Sequence, residues 1–112
     1  MTIDDVLGAE LATGRSVPTA VDGAPYESWH VISDDGRVEL GIWEVTPGSF
    51  RGETDGIYEQ MHFVAGDGTI TDGDGVVTAI RPGVVMLCPD GWSGTWDVRA
   101  TVRKTYAVVK TR

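Results

Sequence analysis

Few side chains in this 112-residue sequence are of the kinds that do chemistry readily. There are two histidines, His30 and His62, and one cysteine, Cys88, so an imidazole metal centre or a cysteine–histidine nucleophile has little to draw on. Cys88 ends the apolar run Val84-Val85-Met86-Leu87-Cys88, where a small buried hydrophobe is wanted, and a structural role is the expectation. Gly66-Asp67-Gly68 and Gly73-Asp74-Gly75 look like calcium or phosphate loops, but neither has the ligand spacing of an EF-hand or a P-loop. Hairpin turns are the better reading. Near the C-terminus Lys104 and Tyr106 stand two residues apart, which puts them on one face of a strand together with Val102 and Val108. Four tryptophans, Trp29, Trp43, Trp92 and Trp96, each bring a large apolar area and one N–H that needs an acceptor, and most are expected to fill a core.

The elements that must position these residues are strands. From Tyr26 onward, short apolar or alternating runs at 26–33, 37–46, 57–65, 68–72, 76–80, 84–88, 94–99 and 101–109 are separated by glycine- or proline-bearing turns. Those turns are Asp34-Asp35-Gly36, Thr46-Pro47-Gly48, Gly66-Asp67-Gly68, Gly73-Asp74-Gly75, Arg81-Pro82-Gly83 and Pro89-Asp90-Gly91. About eight strands without intervening helix leave jelly rolls, barrels and immunoglobulin-like sandwiches, and the last lacks its cysteine pair. Residues 1–25 read as an arm ahead of a single domain at 26–112. Ile3, Val6, Leu7 and Leu11 give a short amphipathic helix within 2–13, with Thr2 as cap and Gly14 as stop, and Pro18 to Pro25 reads as extended.

Composition narrows the function classes. A hydrophobic content of 41% with 23% charged residues is that of a folded domain, and 112 residues leave room for only one. The net charge of −8 makes nucleic acid and anionic membranes poor partners. The acidic start Met1-Thr2-Ile3-Asp4-Asp5 is unlike a secretory signal, so a cytoplasmic location is expected. Five basic residues, Arg99, Arg103, Lys104, Lys110 and Arg112, cluster near the C-terminus, either to meet a small anionic ligand or to balance acidic strands.

Two stretches carry a resemblance. Gly83, five residues, Pro89, one residue, Gly91 matches the start of the second cupin motif, and Glu59, six residues, Gly66 matches the end of the first. Gly41-Ile42-Trp43-Glu44-Val45-Thr46-Pro47-Gly48, Pro89-Asp90-Gly91-Trp92-Ser93-Gly94-Thr95-Trp96 and Val102-Arg103-Lys104-Thr105-Tyr106 resemble the small single-domain cupins similar to the cupin domain of (S)-ureidoglycine aminohydrolase, over residues 38–109. The resemblance implies an all-β fold, the cupin double-stranded β-helix or jelly-roll barrel, with a short N-terminal helical or extended arm. It also implies association as a homodimer.

The sequence departs from the metal-binding cupin pattern. Counted back from Glu59, the two motif-one histidines would stand at Gly52 and Thr54, or at Glu53 and Asp55, and the motif-two histidine at Gly94. None is histidine, so no metal and no cofactor are expected. A hard-oxygen site for manganese or magnesium from Glu53, Asp55 and Glu59 is the one metal alternative. His62, three residues past Glu59, falls on the opposite face of a strand if Glu59, Met61 and Phe63 point inward. His30 has no motif neighbours.

An inward Glu59 needs a partner, which Lys104 can supply, with Tyr106 adding a hydrogen bond. Either this is a structural ion pair in place of a metal centre, or Glu59, Lys104 and Tyr106, with Trp92 and Trp96 at the mouth, bind a small polar or nitrogen-containing metabolite. The alternatives are an enzyme acting on a ureide-like substrate, with Glu59 as acid or base and Lys104 as electrostatic partner, and a structural or regulatory dimer with a filled barrel.

Overall fold

A computed structural model describes all residues from Met1 to Arg112. One helix, α1 (Ile3–Gly8), precedes nine strands: β1 (Thr13–Ser16), β2 (Ala20–Asp22), β3 (Tyr26–Asp34), β4 (Val38–Val45), β5 (Gly48–Glu53), β6 (Ile57–Asp72), β7 (Val77–Ile80), β8 (Val85–Cys88) and β9 (Ser93–Lys110). The pairing order β1-β3-β4-β9-β5-β2, with β6 joined to β7, β8 and β9, is that of a curled antiparallel sheet. All-β architecture with a short N-terminal helix is therefore observed as expected. No helix is long and apolar enough to cross a membrane.

Four short strands expected from the sequence are two long ones. The runs 57–65 and 68–72 are continuous as β6, and 94–99 and 101–109 are continuous as β9. Gly66-Asp67-Gly68 is thus a set of register shifts against β9 and no hairpin turn. Gly66 has φ +109°, and a Cβ there would lie 2.6 Å from Val102 Cα, so only glycine lets β6 bend this closely over β9. The other five turns separate strands at the expected places.

The N-terminal segment differs more. Thr2 caps α1 through a capping box with Asp5, but the helix stops at Gly8, well short of Gly14. The stretch read as helix tail and extended link contains β1, paired with β3, and β2, paired with β5. Strand β5 was also not anticipated.

Strand alternation sorts the side chains. Val45, Phe50, Met61, Phe63, Ile70, Ile80, Cys88, Trp96, Val98 and Val102 form the interior cluster, and Val17 joins it from the N-terminal segment. On the outside, Val6 of α1 packs with Ile42 and Val64. Arg103 fixes that contact: its Nη1 donates to the backbone oxygens of Val6 (2.8 Å) and Ala9 (2.8 Å), and its Nη2 lies 3.1 Å from Glu44 Oε1.

Candidate functional site

The barrel is not filled. A cavity of about 410 Å³, reaching the surface at exposed Arg51 and Glu53, is lined by Trp43 of β4, Phe50 of β5, Glu59 and Met61 of β6, Lys104 and Tyr106 of β9, and further residues including Trp92 and Trp96. Period-two alternation puts Glu59, Met61 and Phe63 on the inner face of β6 and turns His62 to the outer surface beside Leu40 and Thr105. His30 is exposed on β3.

Lys104 is the centre of the site. It is only 6% exposed, and its Nζ donates to Glu59 Oε2 at 2.8 Å. On β9 its cross-strand neighbours are Trp43 and Phe63, so reaching Glu59 takes the whole side chain past Met61, whose sulfur lies 3.0 Å from Nζ. The ammonium also sits over the rings of Trp43 (4.4 Å to the centroid) and Trp96 (5.1 Å). One carboxylate and two π faces compensate the buried charge. Glu59 Oε1 accepts no hydrogen bond from the protein.

Tyr106 shares the cavity but not the pairing expected of it. Its hydroxyl donates to Glu39 Oε2 at 2.6 Å, not to Glu59. Gly41 makes this possible, because a Cβ there would come within 2.4 Å of the Tyr106 oxygen. Burial, then the Glu39 hydrogen bond and charge, push the phenol far above its ordinary value and keep it protonated. Cys88, on the cavity wall, has its thiol pushed up to about 11, first by burial and then by the charge of Glu59, with Lys104 acting in the opposite sense. It is a neutral thiol near pH 7.

Trp43, Phe50, Phe63 and Trp96 form an aromatic cluster, with Phe50 stacked on Trp96 at 5.3 Å and Trp43 edge-on to it at 5.5 Å. The indole N–H of Trp43 donates to Glu27 Oε1 at 2.9 Å, whereas that of Trp96 has no partner within the protein. Trp92 also lines the cavity, and Trp29 stacks under Arg15. Glu27 and Glu39, which hold Trp43 and Tyr106, were missed in the sequence. Neither belongs to a motif, and both act through cross-strand register alone.

The positions where a metal-binding cupin would carry histidine are built for other ends. Gly52 and Gly94 are cross-strand partners, and a Cβ on either would collide with an indole: Trp96 Nε1 at 2.9 Å from Gly52, Trp92 at 2.7 Å from Gly94. Thr54 is buried and holds the Pro89-Asp90-Gly91 turn, donating to Pro89 O at 2.5 Å and accepting from Trp92 N at 3.0 Å. The carboxylate alternative is not assembled. Asp55 pairs with Arg112 at the surface, Glu53 is exposed, and Glu59 is taken by Lys104. No group of three His, Cys, Asp or Glu side chains is placed to hold a metal ion, so these residues do not fit the metal of the metal-binding cupins. The C-terminal basic residues likewise form no common anion site: Arg99 pairs with Asp67, Arg103 with Glu44, Lys104 with Glu59 and Arg112 with Asp55, and Lys110 stands exposed at the end of β9.

A curled antiparallel barrel whose interior carries the site defines a cupin-type protein, and comparison with known families makes this specific. The EutQ-like cupin domain profile matches residues 32–106, and the chain belongs to that family. Among solved structures it is similar to the EutQ protein of Clostridium difficile (18% identity, 78% of this chain and 70% of that one, TM-score 0.66). It is also similar to ectoine synthase from P. lautus (12% identity, 98% and 76%, TM-score 0.70). A DUF861 family protein of Thermotoga maritima is 31% identical, covering 58% of this chain and 73% of that one, with TM-score 0.54. No curated protein matches the chain.

Proposed function

We propose that this protein is a metal-independent cupin that binds a small, uncharged, nitrogen-containing polar metabolite inside the barrel. The observation that carries the reading is an aromatic cavity whose inner charges are matched to each other, with an unpaired acceptor on Glu59 and an unpaired indole N–H on Trp96 among its polar atoms. Lys104 neutralises Glu59 and Arg15 neutralises Glu27, and the two other charged lining residues, Arg51 and Glu53, are opposite in sign, so the lining selects neither sign of ligand. Glu59 Oε1 is left to accept an N–H, and Trp96 Nε1–H to donate to a carbonyl. An amide, urea or lactam presents both groups. The narrower likeness to the ureidoglycine aminohydrolase cupin domain read in the sequence supports the urea-bearing part of this reading.

Binding is favoured over catalysis because no group is poised for attack. Cys88 and Tyr106 stay protonated, and the Lys104 nitrogen is engaged by Glu59. Hydantoin, a neutral cyclic ureide, is a direct probe: it should raise the melting temperature of the wild type by mass action and leave that of a folded Lys104→Met/Glu59→Leu variant, which has no acceptor at this place, unmoved. Equal shifts in both, or none in either across amides and lactams, would remove this reading. Elemental analysis should find no stoichiometric manganese, iron, nickel or zinc, and a full equivalent of any would overturn metal independence. The homodimer is a separate proposal, supported by exposed Leu40, Tyr58 and Leu87 on the outer strands. Light scattering at the monomer mass of 12.0 kDa would end it.

A further inference from the structure

The N-terminal strands contribute to the cavity as well as to the sheet. Arg15, Val17, Pro18 and Thr19 all line it. The segment that carries them is weakly fastened, since every residue of β1 and β2 is exposed. Beyond the short ladders to β3 and β5, it is held by buried Val17, by backbone bonds from Val17 N to Pro25 O and from Arg51 N to Thr19 O, by the Thr19 hydroxyl donating to Arg51 O at 2.6 Å, by Arg15 over the Trp29 ring, and by one ion pair, Arg15 Nε to Glu27 Oε2 at 2.9 Å. Segments with few buried contacts and exposed backbone hydrogen bonds occupy the low end of local stability.

Glu27 stands where this segment meets the site. One of its oxygens takes Arg15, the other takes the Trp43 indole N–H, and the face of Trp43 carries the Lys104 ammonium. We propose that residues 13–22 form a strap along one side of the cavity mouth that opens to widen the way in for a small molecule, with Glu27 as its latch and, through Trp43, a positioning residue for Lys104. Opening parts the ladders and frees Arg15, while Trp43 keeps its acceptor. The strap rests on the binding reading only for what enters, and its test needs no ligand.

Acrylamide, a small neutral quencher of indole fluorescence, reads access to the three cavity tryptophans Trp43, Trp92 and Trp96, and hydrogen exchange at 13–22 reads strap opening. A Trp29→Phe background removes the indole that Arg15 itself covers. Glu27→Gln loses the ion pair but keeps an acceptor for Trp43, and should raise both exchange and quenching about three-fold, the scale of a partly exposed ion pair. Arg15→Gln breaks the same pair from the strap's side and should do the same if Glu27→Gln fails to fold. A Ser16→Cys/Tyr26→Cys disulfide across the β1–β3 register should reverse both effects, and reduction should restore them. Faster exchange with unchanged quenching would show that the strap is no gate, and unchanged exchange that Glu27 is no latch. For positioning, a folded Glu27→Ala should shift the Lys104 ¹⁵Nζ resonance where Glu27→Gln does not. No shift in Glu27→Ala overturns that role. A hydantoin failure would leave all of these outcomes unaffected.

Discussion

Arg103 and Lys104 are consecutive on β9, carry the same charge and point to opposite faces. Arg103 goes outward, spends its guanidinium on Glu44 and on the C-terminal carbonyls of α1, and so joins helix to barrel. Lys104 goes inward to Glu59 between two indoles. The difference follows from the hydrogen-bonding shape of each head group. Five fixed N–H donors suit a set of carbonyls at a helix end, whereas a compact ammonium fits between ring faces and one carboxylate. The outer cation builds scaffold, and the inner one builds the polar centre of a cavity.

The largest test of that contrast is Lys104→Met. It leaves Glu59 unpaired in a low-dielectric interior and should cost about 3 kcal/mol in urea unfolding, near the lower end for a broken buried pair because Glu59 is 20% exposed to the cavity. The double variant Lys104→Met/Glu59→Leu should recover most of the loss, since an apolar pair of similar volume needs no charge compensation. If the double variant is as unstable as the single, the lysine serves packing and the electrostatic account of the centre fails. Arg103→Ala comes next, at about 1–2 kcal/mol for several charge-assisted hydrogen bonds near the surface. Its loss should concentrate at α1, with faster hydrogen exchange at residues 3–9 and unchanged acrylamide access to the cavity.

Cys88 reports on the interior side in a different way. A thiol kept neutral in the fold and free to ionise when unfolded gives its full stabilisation below about pH 8.5. That contribution is lost as pH rises toward the folded value of about 11. Stability of the wild type should therefore fall between these limits more steeply than that of Cys88→Ala. Parallel curves would show that the thiol is not desolvated and that the cavity wall is wetter than described.

What could be read in the sequence follows from strand parity. Glu59, Met61 and Phe63 against His62, and Lys104 against Arg103, are sorted by a strict period of two that needs no partner strand to be known. Parity does not say which strand lies alongside. The pairing of Tyr106 with Glu39, and the bridge from Glu27 to Trp43, come from the β4–β9 and β3–β4 registers and carry no local signal. Strands β1 and β2 were missed for a related reason. Wholly exposed edge strands lack the alternation that marks a half-buried one. Gly66-Asp67-Gly68 reads as a turn because the same glycines that reverse a chain also let a strand bend across its neighbour.

The smallest predicted effect is Arg112→Ala. Arg112 pairs with Asp55 as Lys104 pairs with Glu59, but its side chains are 69% and 81% exposed against 7% and 20%. Water already solvates both exposed charges, so the pair gains little from contact and gives up the freedom of two side chains to make it. The variant should unfold within about 0.5 kcal/mol of the wild type, and added salt should not widen the gap. A cost approaching that of Lys104→Met would mean that burial does not separate the two pairs. Asp55 would then have a structural importance that neither its exposure nor its single ion pair explains.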